Sequence, residues 1–169
     1  MGSNLLFTLQ LILAVMKSAR TILLLLSAFA SVACMETCST RQEIYRSSCD
    51  EGAHFKRVSF PQLLDSINYY DKQYVEVTGR YLQGKEQSAL VNDSLFNDHG
   101  NSHAFWVSFS QDCELYLAGT RNGLFEYHNG EYISLNKRLV TIRGKVDAHN
   151  KGHLKQYRGT IDRVSYLKM

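Results

Sequence analysis

Tyr74-Val75-Glu76-Val77-Thr78-Gly79-Arg80-Tyr81 recurs later in the chain as Leu139-Val140-Thr141-Ile142-Arg143-Gly144-Lys145-Val146. Both copies alternate apolar and polar residues, the two-residue period of a half-buried strand. Both place a glycine four residues after the first valine and a basic residue next. A glycine on the inner face of a strand marks a bend or a close backbone approach, as at the corner of a small barrel. The repeat therefore predicts an all-β domain built as a small closed or nearly closed barrel.

Working outward, Ser59-Phe60-Pro61 opens a short helix whose Leu63, Leu64 and Ile67 share a face. Strands are predicted at 73–83, 88–91 and 104–109, the last apolar on both faces. Leu124–Tyr127 and Tyr132–Leu135 flank Asn129-Gly130 and read as an inserted hairpin, since Asn-Gly accepts the positive φ angles of a tight turn. The second copy of the repeat covers 138–149. The last strand covers 159–167, where Ile161, Val164 and Leu167 break the alternation and predict a bulge or an early end. Residues 92–102, 111–122 and 150–158 are polar loops, the middle one without a legible pattern. Five strands with a long connection before the fourth predict a five-stranded, Greek-key barrel like the OB-fold, preceded by one short helix.

Before the barrel, Leu5–Val15 and Thr21–Ala33 are apolar runs separated by Lys17 and Arg20. Met16-Lys17-Ser18-Ala19-Arg20 has the form of the charged start of a signal peptide, with Met16 an alternative start, and residues 1–33 read as a leader. Residues 34–57 read as a polar tether and 58–169 as the domain. The net charge of +3 includes Lys17 and Arg20, so little excess remains to attract nucleic acid, and no nucleic-acid partner is expected.

Ser31-Val32-Ala33-Cys34 resembles the lipobox of bacterial lipoproteins, with Ser31 where that family usually carries leucine. The resemblance implies cleavage before Cys34 and lipidation of Cys34 by several acyl chains, palmitate among them. It also implies anchoring in the bacterial cell envelope. Met35, in place of the aspartate of inner-membrane retention, points to the outer membrane, facing the periplasm. The barrel segment resembles a set of small, mostly uncharacterised bacterial proteins with OB-like domains. Phe60 with Leu63-Leu64, Tyr70–Gly79, Val140–Val146, and Gly152-His153 with Tyr157–Ile161 carry that likeness. It implies a fold and an envelope location but no activity.

In an oxidising compartment the cysteines are expected to pair. Cys38 with Cys49 would close a loop in the tether; Cys49 with Cys113 would staple the tether to the domain. For ligand binding, His153 and Tyr157 in the loop before the last strand stand out. So do Trp106 and Tyr81, aromatic residues of the kind on which OB-folds stack bases or sugars. His99 and His103 flank Gly100-Asn101-Ser102 and are the metal-ligand candidates. No cofactor motif, nucleophile elbow or phosphate loop is present, and no cofactor is expected. The expected function is a non-catalytic binding domain for an envelope protein or polysaccharide. The alternatives are a hydrolytic or metal-dependent site converging on His99, His103 and His153, and a structural part of an envelope assembly.

Overall fold

The two copies of the glycine strand lie side by side. In the computed structural model, which describes residues 42–94, 100–128 and 130–169, β3 (Tyr74–Gly84) pairs antiparallel with β9 (Leu139–Asp147). Val75 faces Gly144, Val77 faces Ile142, and Gly79 faces Val140. The repeat thus generates a local twofold axis through Val77 and Ile142. Each glycine is there because the next strand runs against it. A Cβ on Gly79 would sit 2.6 Å from the Val91 carbonyl oxygen, and one on Gly144 would sit 2.6 Å from that of Asp162. These are the corners at which the sheet turns on itself.

Around this pair, β3 continues to β4 (Gln87–Val91), which pairs with β5 (Phe105–Val107). Strand β5 runs parallel to β10 (Gly159–Lys168), and β10 returns antiparallel to β9. The ring β3-β4-β5-β10-β9 closes a five-stranded barrel of OB-like topology. The broken alternation of β10 is a bulge: the register against β9 shifts between Asp162 and Tyr166, and Arg163 adopts φ 48°.

The helix α1 (Phe60–Asp65) starts where Ser59 accepts a hydrogen bond from the Gln62 amide, with Pro61 in its first turn. Phe60 packs edge-on against Phe105, 5.2 Å between ring centroids, and Ile67 packs on Gly159. The helix therefore covers the end of the barrel where β5 and β10 begin. Inside the wall, Val75, Val77, Leu90, Phe105, Val140, Ile142, Ile161, Val164 and Leu167 form one apolar core.

The domain begins earlier than the sequence predicts. Residues 42–169 form one compact unit, and the supposed tether 34–57 contributes two of its strands. Strand β1 (Ile44–Arg46) extends the sheet along the end of β10, with Tyr45 in the core at 1% exposure. Strand β2 (Lys56–Arg57) runs parallel to the start of β3. Strands of two or three residues carry no readable period, so only their tertiary partners define them. The connection from β5 to β9 holds β6 (Tyr116–Leu117), paired to β1, and a separate hairpin of β7 (Tyr127–His128) and β8 (Glu131–Tyr132). That hairpin is shorter than expected. Leu124 and Leu135 are buried in the core instead of pairing across it.

Candidate functional site

Three of the sequence candidates meet. Trp106 points outward from β5, and the loop before β10 folds down over it. Gly152, at φ +65°, lies so close that a Cβ there would be 2.5 Å from the Trp106 Cβ. The His153 ring stacks on Trp106 at 6.2 Å and Tyr157 tilts against it at 5.2 Å. Tyr157 is buried with Ala89, Val91 and Ala104. His153 Nε2 is 3.6 Å from Glu86 in the β3–β4 turn. This is the outward face of β4 and β5, which OB-folds use for oligonucleotides and oligosaccharides. Here the chain's own loop covers it, so Trp106 has spent a stacking face on His153.

Tyr81 is a correction. It is 3% exposed, and burial pushes its hydroxyl pKa up. Its hydroxyl pairs with Ser88 Oγ at 2.8 Å, and Ser88 passes a 2.6 Å bond to the Val107 carbonyl. It braces the core and offers nothing to a ligand. Alternation already puts Tyr81 on the inward face with Val75, Val77 and Gly79.

His99 lies outside the described residues. His103 stands in a single 3-10 turn, Asn101–His103, with an exposed side chain. Among the described residues the one set of three metal-ligand types is Cys49, Asp50 and Cys113. Two of these form a disulfide, Cα atoms 5.2 Å apart and 64 residues apart in sequence. Cys49 is thus bonded to Cys113 and not to Cys38, which lies outside the described residues along with Cys34.

The disulfide is tied to the barrel wall. Arg163, aimed by the bulge, forks onto Asp50 at 2.7 and 3.1 Å and reaches Cys49 Sγ at 3.3 Å. Tyr74 donates to the same carboxylate at 2.9 Å. Burial alone would raise the Asp50 pKa, but the bonds from Arg163 and Tyr74 outweigh it and hold the group below the usual carboxylate range.

On its other side Cys113 lines a cleft of about 230 Å³ between Phe109 and Glu126. Phe109, Leu115, Leu124 and Phe125 make it apolar. Phe109 packs edge-on between core Tyr81, at 5.9 Å, and half-exposed Phe125, at 5.0 Å. Leu124 donates to the Leu115 carbonyl and Leu117 to that of Asn122, both at 2.8 Å, which folds the segment into a loop around the cleft. Glu114 and Glu126 sit on its rim. Glu126 also accepts the Gly123 amide at 2.8 Å, and Glu114 accepts the Tyr116 hydroxyl, whose pKa rises in consequence.

A wider recess of about 640 Å³ lies between α1 and the outer face of β3 and β9. Its central carboxylate is already paired: Glu76 is held by Arg57 at 2.8 Å and Arg143 at 2.7 Å. Its floor carries the Thr78–Thr141 hydroxyl pair at 2.8 Å. The smaller cleft has the apolar lining and few polar groups expected of a binding site.

Charge is sorted along the chain. Between Ser108 and Leu135 lie Asp112, Glu114, Glu126 and Glu131 against Arg121 alone. After Leu135 nine lysines and arginines face only Asp147 and Asp162. The stretch that forms the cleft is therefore acidic, and the chain that follows it is basic. Sequence reading missed it because its walls come from a segment without period, closed by a disulfide from elsewhere. The one local signal is Phe109 and Phe125 amid that run of acids. Compared with family models, curated proteins and solved structures, the chain has no match.

Proposed function

We propose that this protein is a lipid-anchored component of the bacterial cell envelope, and that its barrel is a binding domain. The leader ending in Ser31-Val32-Ala33-Cys34 supports the anchor. The Cys49–Cys113 disulfide supports an oxidising compartment. The binding reading is carried by one observation: an apolar cleft rimmed by Glu114 and Glu126, braced by that disulfide in an acidic stretch of the chain. At about 230 Å³ it is smaller than the roughly 300–1,000 Å³ of small-molecule sites. It suits one or two apolar side chains of a partner, flanked by cations that the rim carboxylates attract.

The test is a titration of the full chain in detergent micelles with two blocked tripeptides, Lys-Leu-Lys and Glu-Leu-Glu, read by methyl NMR. The first peptide shifts the methyl signals of Leu115 and Leu124, and the shift fades as salt screens the rim. Equal shifts with both peptides, or none with either, overturn the reading.

A further inference from the structure

The strongest unexplained feature of the surface is Leu154. It is 68% exposed at the tip of the loop before β10. Its backbone and that of Lys155 take left-handed conformations, φ 54° and 57°, one residue beyond Gly152 at φ 65°. Left-handed backbone at a leucine costs about 1–3 kcal/mol and persists only where the surroundings enforce it. The surroundings are the Trp106 platform: Gly152 seated on the ring, His153 stacked, Tyr157 buried beneath. Lys151 is latched to the Arg158 carbonyl at 2.5 Å, and Arg158 donates through Nε to the Leu64 carbonyl at 3.2 Å. The result is an apolar side chain held out on a fixed loop, flanked by Lys151, Lys155 and Arg158.

We infer that the occupant of the cleft is Leu154 of a second copy of this chain, seated among Phe109, Leu115, Leu124 and Phe125 with Lys155 against Glu114. This rests on the binding reading above and names its partner. The complementarity is in shape and charge at once: a lone leucine between cations, and an acid-rimmed cleft sized for one or two side chains. Leu154 does not fill its own cleft, because it is exposed and does not line it. The loop and the cleft are different patches, so copies either pair reciprocally, each Leu154 in the other's cleft, or associate head-to-tail in rows or rings. Anchoring on one membrane surface raises the local concentration of copies, so a contact of a few side chains suffices.

The test uses the full chain in bacterial membranes, with benzoylphenylalanine replacing Phe125 as a photo-crosslinker. The expected product has twice the chain mass, with the link mapped to residues 151–158. Leu154→Asp, a residue tolerant of left-handed backbone, lowers that product by at least about tenfold, as loss of a central anchor does. Glu114→Lys alone and Lys155→Glu alone each lower it, and mixing the two variants restores it, which shows both are folded. A link that maps elsewhere overturns the inference, as does a product indifferent to Leu154→Asp or a mixture that restores nothing. If the inference falls while Lys-Leu-Lys still shifts the cleft methyls, only the identity of the partner is wrong. If the peptide fails too, the cleft reading itself is wrong.

Discussion

The paired glycine strands and the segment between β5 and β9 are held by different means. Strands β3 and β9 are bonded along most of their length, share a core, and meet neighbours at two glycines. The segment from Phe109 to Glu126 has a two-residue strand, a few loop hydrogen bonds and one covalent tie. The first region is stabilised by regular pairing that any barrel needs. The second is shaped by particular contacts to β1 and to Cys49, and it is the one that carries the cleft. Binding surfaces fall in irregular segments because a rigid frame frees them from regular pairing.

The severest way to break this contrast is at the glycines. Gly79→Ala or Gly144→Ala drives a Cβ into backbone 2.6 Å away. Each costs about 3 kcal/mol in urea unfolding, and the local twofold makes the two losses alike. A tolerated alanine at either position would show that the copies are not equivalent. Next is the disulfide. Cys49→Ser with Cys113→Ser costs about 2–4 kcal/mol. Hydrogen exchange then quickens most at the Leu117 and Leu124 amides and least at Val77 and Ile142. Uniform quickening would mean that the segment and the wall unfold as one.

A smaller effect belongs to Asp147, at the end of β9. It bonds Lys72 at 2.6 Å and the His149 and Asn150 amides at 2.9 Å. The Lys72 bond first, then that to Asn150, depress its pKa to about 2. A depressed carboxylate stabilises the fold above its unfolded pKa, near 4, and stops doing so as pH falls through about 2. Asp147→Asn therefore costs about 1 kcal/mol at pH 6, and the gap to the parent closes between pH 4 and 2. A gap constant with pH would count against the ion pair. The smallest stability effect is at Phe125, half exposed on the cleft. Phe125→Ser changes unfolding by under about 1 kcal/mol yet removes a cleft wall, so the Lys-Leu-Lys shifts collapse. A large loss of stability there would place Phe125 in the core and undo the distinction between frame and site.

Much of the frame was legible in the sequence. The two glycine strands, the capped helix after Ser59 and the bulge in β10 each leave a local mark: a period, a cap, a break in alternation. The Trp106, His153 and Tyr157 grouping was legible as chemistry, but its meaning reversed, because the loop that brings the histidine also covers the tryptophan. Tyr81 is a core residue, as its place in the alternation with Val75, Val77 and Gly79 implies; only its residue type suggested a stacking surface. The cleft left almost no trace, being built from residues 109–126 and secured by Cys49, sixty-four positions from Cys113.

By itself the sequence determined that this chain makes a small all-β barrel with paired glycine corners and one short helix, because alternation and glycine placement act between near neighbours. Only the tertiary structure decided that residues 44–57 belong to the domain, that Cys49 pairs with Cys113, and that residues 109–126 form an acid-rimmed cleft while another loop holds Leu154 out. Those depend on which distant segments meet when the barrel closes, and a period of two residues carries no information about that.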